Sequence, residues 1–202
     1  LSTLMFWLAF FCCLMMVYAL GSWLPKIMEA GGYDVKKGIL FLLVLNFGAM
    51  FGAIGGGWLS DRFNLRRVIS LMFIIAAVSI GLLGFKGSML TQYLLMAIAG
   101  ACTIGTQILL YAYVAQYYPL SNRSTGIGWA SGVGRLGAIL GPILGGALMA
   151  MELDIQMNFI AVGIPAIVAA IAISLVGRSA THAKDEEEDL AFAAGTLKME
   201  VD

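Results

Sequence analysis

Charge is scarce in this chain. Only 12% of its 202 residues are Asp, Glu, Lys or Arg, against roughly a quarter in a soluble chain. Twelve basic and twelve acidic residues cancel, and the basic ones form no stripe, so the sequence offers nothing to nucleic acid. Histidine occurs once, His182 in a polar stretch, which leaves no His-based catalytic pair or metal cluster. Cys12, Cys13 and Cys102 all lie in apolar runs. They have neither metal-ligand spacing nor a disulfide framework, and they read as small hydrophobes. Within the apolar stretches there is no carboxylate pair and no Ser–His or Cys–His set, and the chain has no phosphate-binding loop, so it reads as a non-enzyme without cofactor or metal.

What fills the chain instead is apolar: 60% hydrophobic residues and a mean hydropathy of +0.91. A membrane span needs about 20 predominantly apolar residues, and six stretches qualify, at about 3–24, 38–59, 67–85, 90–114, 125–149 and 156–176. The expected fold is an all-α membrane protein, with a six-helix bundle over 1–177 and a polar acidic tail over 178–202. That tail (THAKDEEEDL and a mixed polar ending) reads as disordered. The first stretch is too long for a signal-peptide core. It begins almost at residue 1 without an initiator methionine, so the chain is expected to be a piece of a longer protein. Connections carry turn or helix-end chemistry: Pro25 with Gly31 and Gly32, then Asp61 to Arg67, Gly84 to Ser88, Pro119, and Asp154. Six spans put both ends on one side. Arg62, Arg66, Arg67, Arg123, Arg178 and Lys184 lie on that side, against Lys26, Lys36, Lys37 and Lys86 on the other. The bias favours cytoplasmic ends.

Small residues recur every four positions at Gly48/Gly52/Gly56, Ala97/Ala101/Gly105 and Gly137/Gly141/Gly145. This spacing lets membrane helices approach closely, so a packed bundle is expected. Pro142 and Pro165 lie inside spans, where a proline kinks a helix or frees a carbonyl. Trp23, Tyr93 and Trp129 fall toward span ends, the place of interfacial aromatics.

One charge lies at membrane depth. Arg135 sits within GIGWASGVGRLGAILGPILGGALM. An arginine there costs roughly 2.5–3.5 kcal/mol on insertion scales, so it faces a cavity or a partner rather than lipid. Its helical neighbours Gly128, Ser131, Gly132, Ala138, Ile139 and Pro142 are mostly small. The planar guanidinium suits a carboxylate bidentately. Two readings stand open, an anion anchor or a structural arginine bonded to a neighbouring helix. Thr103, Gln107 and Tyr111 are spaced by four along the fourth span and read as one polar face, Asn46 lies mid-way along the second, and Tyr18 in the outer half of the first. Each is a candidate to contact a substrate or, equally, a neighbouring helix.

The second connection reads GGGWLSDRFNLRR. It resembles the signature of the major facilitator superfamily: Gly57, three residues, Asp61-Arg62, then the basic pair Arg66 and Arg67. Asn64 stands where glycine is usual, and asparagine tolerates a left-handed turn. AQYYPLSNRSTGIGWASGVGRLGAILGPILGG is similar to the matching loop and eleventh helix of aromatic acid–proton symporters, with Pro119, Arg123 and Gly126 in the pattern. YALGSWLPKIMEAGGYD is similar to their seventh helix. The resemblance implies helices seven to twelve, the C-terminal half of a twelve-helix bundle made of two six-helix halves. It implies proton-coupled uptake of aromatic carboxylates of the benzoate or hydroxybenzoate type through a bacterial inner membrane. Organic anion, protons, lipid and a missing N-terminal half would be the partners. Non-aromatic carboxylates such as muconate or sugar acids, or a transport-incompetent truncated domain, are the alternatives. Every Asp and Glu lies in a loop, at a span edge or in the tail, so a proton site at membrane depth is expected on the missing half.

Overall fold

The computed structural model describes residues 1–30, 32, 35–85 and 87–177; the expected tail over 178–202 lies outside them. Six helices follow in order: α1 Ser2–Ala30, α2 Val35–Arg62, α3 Leu65–Leu83, α4 Met89–Tyr117, α5 Arg123–Ala150 and α6 Ile155–Ser174. All six are long and apolar enough to cross a membrane. The chain is an integral, all-helical membrane protein.

The helices overrun the apolar windows, because hydropathy falls at the first polar residues while the backbone still needs its internal hydrogen bonds at the bilayer edge. Two expectations change as a result. Pro25 is not in a connection; α1 continues through it to Ala30. The carbonyl its ring would crowd belongs to Gly21, a residue with no side chain of its own. Gly57, Asp61 and Arg62 are likewise helical, in the last turns of α2. Asn64 does not take a left-handed turn. Its φ of −58° and ψ of 120° make it the N-cap of α3, its side chain accepting from the Arg66 N–H at 3.0 Å.

Both ends of the described chain lie on one face. The Gly177 N–H donates to the Ser2 hydroxyl at 3.1 Å, and the Tyr118 hydroxyl to that of Thr3 at 2.8 Å. The junctions α2–α3 and α4–α5 share this face by the up-down order of the helices.

α1 packs mainly on α5 and α6, α2 on α4, and α3 on α4 and α6. Apolar side chains gain little from leaving lipid for each other, so backbones must approach for van der Waals contact to accumulate. The glycine faces supply that approach. A Cβ on Gly137 would run into the Phe11 carbonyl, on Gly141 into that of Met15, and on Gly145 into the Trp23 ring. Across the other seam Gly48 faces the Ala97 backbone, Gly52 that of Ala101, and Gly100 that of Leu45.

Gly137→Ala should therefore destabilise the bundle by about 1–3 kcal/mol, the usual cost of overpacking. Gly81→Ala, where nothing lies within 4 Å, should be neutral or slightly stabilising. Thermal unfolding of the two variants in detergent checks the contrast; equal melting temperatures would refute it.

Candidate functional site

The site is built from the α1–α5 seam outward. Arg135 lies near the middle of α5, between Gly134 and Gly137, which turn into α1 against Phe10, Leu14 and Phe11. With that face taken, the arginine side chain emerges on the exposed side of the helix. Its Nη1 donates to the Tyr18 hydroxyl at 3.4 Å, a long bond. Tyr18, near the middle of α1, is 40% exposed. A guanidinium with five donors and one weak partner retains most of its capacity for an anion.

A hollow of about 330 Å³ opens beside this pair. Val17, Tyr18, Gly21 and Ser22 of α1, Leu42, Leu45 and Asn46 of α2, and Ile104 of α4 line it. Asn46 donates one N–H to the Leu42 carbonyl at 2.8 Å, its own preceding turn, and keeps its amide oxygen. Gln107 is half-buried, one turn beyond Ile104. The structure thus brings Arg135, Tyr18 and Asn46 to one side of the molecule, with Gln107 one turn from the hollow's edge.

Thr103 and Tyr111 are placed differently. Thr103 is 1% exposed; its hydroxyl donates to the Ala99 carbonyl at 2.7 Å, and its carbonyl accepts from the Cys13 thiol at 3.8 Å. It belongs to the α1–α4 contact rather than to the hollow. Tyr111 is half-buried and packs edge-on against Phe10, 4.9 Å between centroids. A spacing of four residues drifts by about 40° per step around a helix, so Thr103 and Tyr111 are about 80° apart and do not share one face.

Trp23, expected as an interfacial aromatic, is half-buried in a notch that Gly145 and Gly146 leave open. Its indole N–H donates to the Pro142 carbonyl at 2.8 Å, and Lys26 sits 4.7 Å from its ring centre. Sequence reading missed this partnership because it joins residues 119 apart. Tyr93 packs on Phe41 and Trp129 stacks on Trp7.

The signature residues gather at the chain-end face. Arg62 stacks over Trp58 at 4.5 Å, Arg66 donates to the Ser174 carbonyl, and Asp61 and Arg67 are exposed. Gly57 has open space around it, whereas Gly126 is needed, since a Cβ there would strike the Tyr118 ring. Arg123 opens α5 half-buried, and its Nε is buried without an acceptor among the described residues.

The family model of the Major Facilitator Superfamily matches residues 6–198. The chain is 44% identical over 200 residues to a benzoate transport protein of Acinetobacter baylyi, covering 99% of this chain and 43% of that protein. It is 41% identical to a gentisate transporter of Corynebacterium glutamicum, covering 88% and 41%. It is 35% identical to a 4-hydroxybenzoate transporter of Pseudomonas aeruginosa, covering 87% and 40%. Among solved structures, the Escherichia coli fucose:proton symporter superposes with a TM-score of 0.75 at 16% identity, over 88% of this chain and 43% of that one. A peptide transporter matches with the same TM-score at 17% identity, over 98% and 45%. The fold is that of these carriers, and the chain spans about two-fifths of the length of the curated relatives it matches.

If Arg135 is held for a ligand rather than for the fold, Arg135→Ala should change stability by no more than an exposed surface substitution, about 0.5 kcal/mol. Thermal unfolding of the variant in detergent measures this. A loss of several kcal/mol would mark the arginine as structural.

Proposed function

The chain belongs to the Major Facilitator Superfamily, and from that premise we propose that it is the C-terminal six-helix half of a carrier that takes up aromatic carboxylates together with protons. The membrane would be the bacterial inner membrane, with both ends of this half cytoplasmic. The relatives named above are transporters of benzoate, gentisate and 4-hydroxybenzoate, each a carboxylate on an aromatic ring. The observation that carries the reading is Arg135: a cation halfway along a membrane helix, exposed, and bonded only weakly to Tyr18.

The division of labour follows from charge. Arg135 would receive the carboxylate on its planar fork. Tyr18 would give the hydroxyl and a ring beside it, and Asn46 and Gln107 amide groups near the same hollow. In two-half carriers the substrate sits near the bilayer midplane between the halves, each wall supplied by one. The acids among the described residues lie at helix ends and connections: Glu29 in the last turn of α1, Asp61 in that of α2, Glu152 and Asp154 between α5 and α6. None reaches the level of Arg135, so the proton-carrying acid would belong to the other half.

Asp61 has a separate task in this reading. It is exposed at the α2 end and has no ion-pair partner among the described residues. Facing a helix N-terminus or arginine of the other half, it would hold one conformation and release in the next. Asp61→Asn should slow transport severalfold while leaving substrate affinity near normal. Separate measurements of binding and of turnover decide it, and lost binding with unchanged turnover would count against a gating role.

With a matching N-terminal half co-expressed, Arg135→Ala should abolish benzoate uptake in vesicles with the protein still membrane-inserted. Arg135→Lys should recover little, because an ammonium has no bidentate fork. Residues 1–202 alone should insert yet accumulate no benzoate in liposomes under a proton gradient. Accumulation by this chain alone would sink the half-carrier reading.

A further inference from the structure

The chain-end face holds a second hollow, of about 590 Å³, at the junction of α3 and α6. Its lining is layered along α3. Arg66 and Arg67 stand in the first turn, Ser70 one turn in, and Leu71 and Ile74 below, with Ser174 closing it from α6. Arg66 is fixed by donating to the Ser174 carbonyl. The Ser174 hydroxyl has one proton and two acceptors in reach, the Ala170 carbonyl at 2.8 Å and the Ser70 hydroxyl at 3.3 Å, and Ser70 adds a second hydroxyl to the wall of the hollow. Arg67 is exposed; its backbone N–H donates to the Asn64 carbonyl at 2.9 Å, and its guanidinium has no hydrogen-bond or ion-pair partner among the described residues. The polar end therefore offers donors and positive charge that no described carboxylate neutralises.

Below the hollow the exposed surface is apolar. Leu71 and Ile74 are 52% and 50% exposed, and the strip runs on through Val78 and Leu82 of α3. A parallel strip on α6, Ile164, Ile167 and Ile171, is exposed beside it. Two exposed apolar strips below a cationic, hydroxyl-lined hollow follow the order of a phospholipid, headgroup above acyl chain. Basic pockets between membrane helices at one membrane face recognise anionic headgroups. We propose that this hollow seats one anionic phospholipid, its phosphate on Arg67 and Arg66 with a hydroxyl contact at Ser70, its acyl chains along the α3 and α6 strips. This assignment is independent of the transport reading, since it uses neither Arg135 nor the missing half.

The test is native mass spectrometry of the purified 202-residue chain in neutral detergent, titrated with dioleoyl phosphatidylglycerol. Parallel arms use dioleoyl phosphatidylethanolamine and inorganic phosphate. One phosphatidylglycerol should be retained in preference to phosphatidylethanolamine. Arg67→Gln should weaken it about fivefold, the worth of one basic residue at an anionic surface, with helicity by circular dichroism unchanged. Lys26→Gln, at the opposite membrane face, should have no effect. Arg66→Gln removes an internal contact, so Arg67→Gln alone decides. Unchanged retention by Arg67→Gln overturns the proposal. So does equal competition by inorganic phosphate, which would mark a free-anion site. So does lipid binding that emerges only when the acidic run 185–189 is neutralised, which would give the hollow to the chain's own tail.

Discussion

The close approach of α1 to α5 is the contact on which the rest depends. Inside a bilayer there is no hydrophobic force to press helices together, so the seam must be made by surface fit. Gly134, Gly137, Gly141 and Gly145 remove side chains where Phe10, Phe11, Met15 and Trp23 come nearest. This sets not only the distance but the register of the two helices. With Gly137 on Phe11 and Gly141 on Met15, Arg135 and Tyr18 come to the same height and within hydrogen-bond reach. The Arg135–Tyr18 contact is a consequence of the seam. A shift of one helical turn, about 5.4 Å, would separate it.

The same seam explains how a charge is tolerated at that depth. An arginine at a bilayer centre is stable only where its head leaves lipid. The glycines bury the opposite face of α5 in α1, so the guanidinium turns toward the exposed side, near the hollow that α1, α2 and α4 surround. One long bond to a tyrosine does not satisfy five donors. That deficit is what an anionic substrate would fill, and filling it costs less than stripping a guanidinium already paired with a carboxylate.

Features with a local period were legible in the sequence. The spans, the three small-residue faces and Arg135 all follow from spacing along one helix. Features that join distant segments were not. Thr103 shares a four-residue spacing with Gln107 and Tyr111, yet the drift of that spacing around the helix and the grip of α1 at Cys13 take it into a buried contact. Trp23 looks like a belt residue until the Gly145–Gly146 notch is seen opposite it. Pro25 looks like a stop, but a membrane helix must keep its hydrogen bonds beyond the apolar window. Asn64 looks like a turn residue by analogy with glycine, whereas its side chain supplies an N-cap bond that glycine cannot.

Two arginines of one chain show how far neighbours decide what a side chain does. Arg66 stands at the end of a helix, donates to a carbonyl of α6 and ties α3 to it. Its charge is near the aqueous edge, where water and lipid headgroups screen it, so the bond organises the face at small cost. Arg135 is of the same chemical type but lies far from either edge, in a helix too rich in glycine to offset it with apolar surface. Nothing among the described residues gives it an acceptor stronger than a phenol. A purely structural arginine would be expected to resemble Arg66, closed upon a carbonyl. In the proposed function that open coordination has a use: a carboxylate entering between two halves would match its geometry and charge.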